Sequence, residues 1–462
     1  MKRATSLMTA LAPLALCACA ITAPPAKVDA PIAPQWQAPL PHNGQLTDLR
    51  NWWSGQGDPL LAQLIVAAEG ASPTLAAAQS RIAQSRAQRA ASGAALLPTL
   101  DGGASVVRTS QQSTLPSGTT SQLQLQSSWE IDLFGGRRAD RNAAQERLAG
   151  AEAQWHDARV SVAAETANQY YALRACEQLL AVAKQDAASR ADTARLTDLT
   201  TQAGFQAPAT AAAARASAAE ARGRATLQGA QCELDRKALV YLTALPEAEL
   251  SERLAASAAV AANPIAIASL PAEVLAQRPD VFNAEREVAA ASFEVVSAQA
   301  DRYPRLTLQG AIGEGNFHAG GENTRGGTWS IGPLALSVPI FDAGRRAAAT
   351  EAARARYDAA VVSYRATARQ AVREVEEALV RLQSTSARSG DAQIALDGYR
   401  RAFVAADDRY KNGLASLLEL EDARRTRLAA ENAVIALDNE RNGAWVSLYR
   451  AAGGGWQRAA VR

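Results

Sequence analysis

The chain has 462 residues, of which 20% are charged and 48% hydrophobic, with a formal net charge of +2. This length allows a large core or an elongated assembly, and the near balance of charges argues against a nucleic-acid-binding protein, which normally carries a basic excess. It also argues against a disordered chain held open by self-repulsion. Lys2 and Arg3 are the only charged residues in the first 18, so the net charge without that segment is zero.

The chain begins as a secretory signal peptide, which we assign to residues 1–18. Its positive start precedes an apolar run over 4–16 that is too short to span a membrane as a helix. The run ends in Leu16-Cys17-Ala18-Cys19, which resembles the bacterial lipoprotein box and predicts acylation of Cys19. Cys17 is a poorer candidate because bulky Leu16 precedes it, and the alternative is an ordinary signal cleaved after a small residue. The Ala- and Pro-containing polar stretch over 19–50 then predicts an extended, lipidated tether.

The rest of the chain is internally duplicated. Leu97-Pro98-Thr99-Leu100 returns as Tyr303-Pro304-Arg305-Leu306, 206 residues later. Gly136-Arg137-Arg138 returns as Gly344-Arg345-Arg346, 208 residues later. Matches in the same order at nearly the same offset are typical of a repeat. We therefore predict a first repeat over 51–255, a second over 256–456 and a C-terminal tail over 457–462.

Each repeat contains two segments that alternate apolar and polar residues, the pattern of β-strands. The predicted strands cover about 99–111 and 121–133 in the first repeat, and about 305–317 and 328–340 in the second, with a Gly- and Asn-rich loop between the latter two. Trp329 and Ile331 are out of phase with Leu334 and Leu336, so Gly332-Pro333 predicts a bulge or bend. A soluble hairpin in each repeat is the alternative, but isolated hairpins are marginally stable. We expect strands from several chains to combine.

Long alanine-rich helical hairpins follow the strands, over about 139–245 and 344–450. No proline and one glycine, Gly150, interrupt the chain between residues 139 and 203. At ~1.5 Å per residue such a helix is roughly 95–100 Å long. Shorter helices, over about 73–97 and 280–303, are predicted before the strands. Helices of this length suit an object that crosses the periplasm better than a compact domain.

The order of several motifs resembles the TolC-like outer-membrane efflux family, and within it the NodT-type lipoproteins. The runs that carry the resemblance are Asp132–Arg137, Pro339–Arg345, Arg278–Val281, Arg409–Gly413 and Gly453–Trp456. The resemblance implies an α+β membrane protein: a trimeric outer-membrane β-barrel, four strands per chain, continuous with a long periplasmic α-helical barrel.

The resemblance also implies a function and partners. We expect an outer-membrane channel of a tripartite efflux system, a passive exit duct for small molecules or ions. Its partners would be two further copies in a homotrimer, a periplasmic adaptor protein, an inner-membrane pump and, through the acyl anchor, the outer-membrane lipid. The protein would lie in the Gram-negative outer membrane and extend into the periplasm. A protein-secretion duct and a poreless periplasmic coiled-coil scaffold are the alternatives, and the alternating strands argue against the scaffold.

Catalytic motifs are absent from the sequence. His42, His156 and His318 have no metal-binding spacing, and no nucleophile elbow or phosphate-binding loop is present. We therefore predict no enzymatic activity, cofactor, metal or nucleic-acid partner. Drugs, aromatic compounds, solvents and metal ions remain open as cargo. A methionine-lined copper path in this subunit is excluded because the only methionines, Met1 and Met8, lie in the signal peptide.

The first hairpin contains two cysteines at matched positions. If it turns at Gly204, Cys176 and Cys232 each lie 28 residues from the turn, so they face each other in an antiparallel pair. The periplasm is oxidising, and we predict a disulfide. Two buried free thiols are the alternative.

The end of the second hairpin is the candidate periplasmic gate and adaptor-binding tip by resemblance. The family often has an acidic residue two places after the turn glycine, but here that place is Ala415. Glu419, Glu421 and Asp422 are then candidate lumen acids and Arg424 and Arg425 candidate latch partners, although a solvated helix face explains the same charges. The other candidate tip residues are Tyr410, Gly413, Leu414 and Leu417.

Overall fold

The computed structural model describes residues 21–40, 49–110, 117–257, 260–262, 264–266 and 271–458. The signal peptide, Cys19 and residues 459–462 lie outside the described residues. The chain divides into two compact units. The sheet unit comprises Met1–Ala30, Gln79–Ala153 and Phe282–Thr367, and the core unit comprises Pro31–Ala78, Gln154–Val281 and Ala368–Arg462.

Helices make up most of the described chain. They are α1 Pro59–Ala71, α2 Pro73–Ala94, α3 Gly136–Gln202, α4 Pro208–Thr243, α5 Glu247–Ala256, α6 Pro271–Ala276, α7 Pro279–Ala300, α8 Arg345–Lys411 and α9 Leu417–Ala451. The strands are β1 Thr99–Thr109, β2 Gly118–Ile131, β3 Arg305–Ala319 and β4 Glu322–Ser337.

The duplication is visible in the lengths of the helices. α2 and α7 both have 22 residues, and α3 and α8 both have 67. α4 and α9 have 36 and 35 residues. At about 1.5 Å per residue, each 67-residue helix is about 100 Å long. Their alanine-rich, proline-free sequences favour such uninterrupted helices because alanine has the highest helix propensity.

The four strands form one antiparallel sheet in the order β1-β2-β3-β4. β2 and β3 join the two repeats, with Gly118 opposite Ala319 at one end and Ile131 opposite Leu306 at the other. β1 and β4 are the edge strands.

The sheet has one apolar face and one polar face. A bulge places two residues, Gly332 and Pro333, of β4 opposite one residue of β3, between the pairs Leu308–Leu334 and Gly310–Ile331. The extra residue reverses the alternation, so the apolar residues on both sides of the bulge share a face. The bulge predicted at this position is therefore present. Apolar residues on this face that remain exposed in the chain are Leu100, Val106, Leu123, Leu125, Ile312, Trp329, Ile331, Leu334 and Leu336. An exposed apolar surface of this extent indicates a membrane or protein contact.

The prediction of a long loop between the last two strands is wrong. β3 continues to Ala319 and β4 begins at Glu322, so only Gly320 and Gly321 form the turn. Both have positive φ, 60° and 91°, which a two-residue hairpin turn requires. Pairing with a neighbouring strand thus overrides the weak strand propensity of the Gly- and Asn-rich sequence. β4 also ends at Ser337 rather than near 340, before Pro339, which cannot donate a ladder hydrogen bond.

The core unit contains the largest hydrophobic cluster of the described residues. α1 contributes Leu61 and Leu64, both fully buried, which contribute about 1.5–3 kcal/mol each by removal from water. The rings of Trp52 and Trp53 pack against Tyr449, with centroids 5.1 and 4.8 Å away. The side chain of Asp58 caps α1 by accepting hydrogen bonds from the first backbone N–H groups of the helix.

Within the described ranges, no single helix has both the length and the apolar composition needed to cross a membrane. α1 and α2, separated by a bend, meet that test only as a pair, by length and composition.

Candidate functional site at the ends of the helical hairpins

Both long hairpins turn through the same backbone motif. Gly204 and Gly413 adopt left-handed φ values of 80° and 74°, which a side chain would disfavour. The N–H of Phe205 donates to the carbonyl of Thr200 at 2.9 Å, and the N–H of Leu414 donates to that of Arg409 at 2.8 Å. These are the hydrogen bonds of a Schellman helix end. The predicted turn at Gly204 therefore lies where the sequence placed it.

A cluster of charged and hydroxyl side chains lies behind these turns, within the core unit. We call it the tip cluster, and it consists of Asp186, Ser189, Arg190, Thr193, Ser217, Arg224, Glu421 and Arg424. Its members come from α3, α4 and α9. Where these residues lie, α3, α4 and α9 contact one another through polar and charged side chains.

Arg190 joins three helices in the tip cluster. Its guanidinium donates to Asp186 Oδ2 at 2.9 Å on its own helix and to Ser217 Oγ at 2.6 Å on α4. It also pairs with the Glu421 carboxylate on α9. Ser217 Oγ donates to the same carboxylate at 3.2 Å. The first and second hairpins are therefore tied together by charge-assisted hydrogen bonds.

Arg424 is the most deeply buried charge of the cluster, with a side chain that is 0% exposed. It donates to Glu421 Oε1 at 2.5 Å and to Thr193 Oγ1 at 3.0 Å. Its guanidinium carbon lies 5.6 Å from the ring centroid of Phe403, and that of Arg427 lies 4.0 Å from the same centroid. Burial lowers the pKa of the Arg424 guanidinium from its usual value. The cation is held in place by one carboxylate, hydroxyl groups and an aromatic face.

The structure divides the candidate lumen acids and latch residues into two groups. Asp422 and Arg425 pair with each other and are exposed, as a solvated helix face predicts. Arg424 is fully buried and Glu421 is partly buried against α3 and α4, so a solvated helix face does not describe this pair. Residue spacing along α9 could not reveal this difference, because it depends on which face α3 and α4 cover.

The remaining candidate tip residues lie around the turn. Tyr410 Oη is 2.7 Å from Thr197 Oγ1 on α3, and Leu417 packs against an alanine cluster of α3 and α4. Glu419 accepts a hydrogen bond from Arg409 at 2.5 Å. Leu414 and Gly413 form the turn itself, and the Leu414 side chain is 70% exposed.

Sequence reasoning missed the residues of the first hairpin that complete the cluster. Asp186 and Arg190 lie four residues apart on α3, a spacing that places them on one helix face. Nothing in the local sequence distinguishes this pair from exposed pairs at the same spacing such as Glu249 and Arg253. Only the burial of Asp186 and Arg190 marks it as a structural element.

Cys176 on α3 and Cys232 on α4 lie within bonding distance of each other. Their Sγ atoms are 2.11 Å apart and their Cα atoms 5.5 Å apart, and both side chains are part of the core-unit cluster. The bond joins the two helices of the first hairpin. Among the described residues, no group of three or more His, Cys, Asp and Glu side chains is arranged to hold a metal ion.

A profile of the family described as outer membrane efflux protein matches residues 64–244 and 270–454 of this chain. The chain belongs to the outer membrane efflux protein family. The pyoverdine export outer membrane protein OpmQ of Pseudomonas putida is 30% identical over 456 residues, which cover 96% of each chain. The solvent efflux pump outer membrane protein SrpC of Pseudomonas putida is 29% identical and covers 92% of this chain and 93% of its own.

Solved structures of outer-membrane proteins share the fold. The outer-membrane channel OprN superimposes with a TM-score of 0.84 at 27% identity, covering 95% of this chain and 100% of its own. The outer membrane protein VceC of Vibrio cholerae gives a TM-score of 0.78 at 27% identity, covering 88% and 99%. The TolC-like resemblance and fold class are thus confirmed. The protein is an outer-membrane channel of an efflux system, as predicted.

Proposed function

We propose that three copies of this chain form a passive exit duct that receives cargo from a periplasmic adaptor and an inner-membrane pump. The observation that carries the proposal is the sheet with two edge strands, β1 and β4, and an exposed apolar face. Sheet edges in a membrane need hydrogen-bond partners because the lipid offers none. A second and third copy would supply them. The duct needs no catalytic group, since the pump would provide the work.

The trimer is tested by engineered cross-linking between edge strands. A cysteine at Ser105 on β1 and another at Thr324 on β4 should give covalent dimers and trimers after oxidation, in a background lacking Cys176 and Cys232. The matched control places the second cysteine at Thr307 on β3, an inner strand. Only monomers from the edge pair in intact outer membranes would refute the arrangement.

We also propose acylation at Cys19, which would hold the N-terminus at the outer membrane. The lipoprotein box in the sequence supports it. Radiolabelled palmitate should enter the wild-type protein and the Cys17→Ser variant but not the Cys19→Ser variant. Equal labelling of all three would refute this assignment.

The cargo we propose is a small organic molecule. The names of the relatives support this class, since they refer to pyoverdine export, solvent efflux and toluene efflux. Deletion of the gene should raise the intracellular accumulation of dyes, antibiotics or solvents but not of metal salts. If instead a secreted protein disappears from the medium and no compound accumulates, the result would support the alternative of a protein-secretion duct.

The tip cluster would hold the periplasmic end of the duct closed. Its ion pairs link α9 to α3 and α4, so opening requires Arg190 and Glu421 to separate. Arg190→Gln should therefore raise single-channel conductance in planar bilayers and sensitise cells to large antibiotics. Asp422→Asn changes one charge of an exposed pair on the same helix and serves as the control. Equal conductance of Arg190→Gln and wild type would contradict the role in closure.

A further inference from the structure

An arginine-lined cavity lies in the sheet unit, where α7 gives way to β3. Its volume is about 720 Å³. The cavity at the α7 end, which we call the junction cavity, is lined by Thr22, Ala23, Pro24, Pro25, Gln299, Arg302, Tyr303 and Arg354. The exit-duct proposal assigns no role to this cavity.

One wall of the junction cavity is an extended segment of the N-terminal chain. Ser292 Oγ donates to the carbonyl oxygen of Pro24 at 2.6 Å, and Tyr357 Oη donates to that of Pro25 at 2.8 Å. Gln299 Nε2 donates to the carbonyl oxygen of Thr22 at 3.3 Å. These bonds fix the backbone of the segment against α7 and α8. The wall itself presents apolar alanine and proline side chains.

The other lining residues of the junction cavity include two arginines, Arg302 and Arg354. Arg302 is exposed, and within the described residues its side chain has no ion-pair partner. Arg354 pairs with Glu351 at 3.2 Å, with both side chains more than half exposed. Asp301, the other acid nearby, pairs with Arg305 at 2.5 Å. The cavity therefore offers one unpaired and one weakly paired guanidinium, the group that best matches the geometry of a phosphate.

The junction cavity lies next to the end of the apolar face of the sheet. The apolar face of the sheet ends at the pair formed by Ile131 and Leu306, three residues after Tyr303. The Tyr303 ring stacks on Phe134, with centroids 4.8 Å apart. Aromatic residues mark the interfacial region where membrane strands meet the headgroups. The junction cavity would therefore lie at the headgroup level of the membrane.

We propose that the junction cavity binds the phosphate of a phospholipid headgroup from the inner leaflet of the outer membrane. Arg302 and Arg354 donate to the phosphate oxygens, and the wall at Ala23–Pro25 contacts the glycerol region. The site rests on the outer-membrane location and does not require acylation of Cys19. It therefore fails or stands independently of the exit-duct proposal.

The test is native mass spectrometry of the full-length protein titrated with phosphatidylglycerol. Arg302→Gln should weaken lipid binding about tenfold, the effect of losing one charge-assisted hydrogen bond. Arg302→Lys should weaken it less because the charge is kept. Arg345→Gln is the matched control, since Arg345 is an exposed arginine at the start of α8 that does not line the cavity.

Two results would overturn the proposal. One is an equal loss in Arg345→Gln and Arg302→Gln, which would indicate general attraction of an anionic lipid to basic residues at the junction. The other is displacement of the lipid by inorganic phosphate at an equal concentration, which would indicate a free-phosphate site that gains nothing from the rest of the lipid. Lipid retained at that phosphate concentration supports the headgroup. Arg354→Gln provides a second variant if Arg302→Gln does not yield folded protein.

Discussion

The Glu421 carboxylate accepts a hydrogen bond from Arg424 at 2.5 Å inside the subunit, while its other oxygen pairs with Arg190 from a different helix. Glu421 is 23% exposed and Arg424 is 0% exposed. The pair is thus unequal, because the acid keeps some access to water and has a second charged partner, whereas the cation has neither. The two charges therefore differ in what their removal leaves behind.

Removing the acid should cost more stability than removing the cation. Glu421→Gln leaves Arg424 buried without its carboxylate, which costs about 3–5 kcal/mol for a buried pair. Arg424→Met leaves Glu421 paired with Arg190 and fills the space with an apolar side chain, so its cost should be smaller. Urea denaturation of the detergent-solubilised protein, followed by circular dichroism, ranks the two. A larger loss in Arg424→Met would contradict this account.

The Cys176–Cys232 bond should stabilise the first hairpin. Peptide mapping without reductant should recover the two cysteines in one linked fragment, and recovery as free thiols would contradict the bond. Replacing both by serine should destabilise the protein by about 2–4 kcal/mol, since the bond closes a long loop. The comparison is Arg388→Ala in the second hairpin, which removes the exposed pair with Glu440 at a similar distance from the turn. Its cost should be below about 1 kcal/mol.

Asp157 should make the core unit less stable at neutral pH than at acid pH. Burial, and then the nearby Asp280 carboxylate, raise the pKa of Asp157, while Arg278 and Arg450 oppose the shift and Glu374 adds to it. A carboxyl with a raised folded-state pKa disfavours folding when ionised, so stability rises as the pH falls through that pKa.

The measurement is the melting temperature of Asp157→Asn across pH. The variant should melt about 1–2 °C above wild type at pH 8, and the difference should vanish as the pH falls and the wild-type carboxyl becomes protonated. Asp391→Asn, at an exposed position of α8, should show no such trend. A gain for Asp157→Asn that does not change with pH would contradict the electrostatic cause.

Gly453 should tolerate no side chain. Its φ is 84°, and a Cβ there would stand 2.2 Å from the carbonyl oxygen of Gln277. Gly453→Ala should therefore lose about 2–4 kcal/mol through left-handed strain and the clash. Gly398→Ala, inside α8 with open space around it, should instead gain about 0.5–1 kcal/mol. Thermal melts of both variants measure these changes in stability. Equal changes in the melting temperatures of the two variants would refute the steric argument.

Sequence alone determined the repeated order of elements in this protein, because that order is encoded in local patterns. Period-two alternation located the strands, proline-free alanine-rich runs located the long helices, and Gly204 and Gly413 located their turns. The equal spacing of Cys176 and Cys232 from Gly204 also predicted their approach, since antiparallel helices pair residues at equal distances from the turn.

Only the tertiary structure decided which charges are buried and how far the last strands extend. Glu421 and Asp422 are adjacent in sequence, yet α3 and α4 cover the first and leave the second exposed. The Gly- and Asn-rich residues after Ile312 form strands because β3 pairs with both β2 and β4, whose backbones supply its hydrogen-bond partners. The junction cavity likewise needs the N-terminal segment and Arg354, which are more than 300 residues apart, to meet. Burial and pairing depend on neighbours distant in the chain, and local sequence does not contain that information.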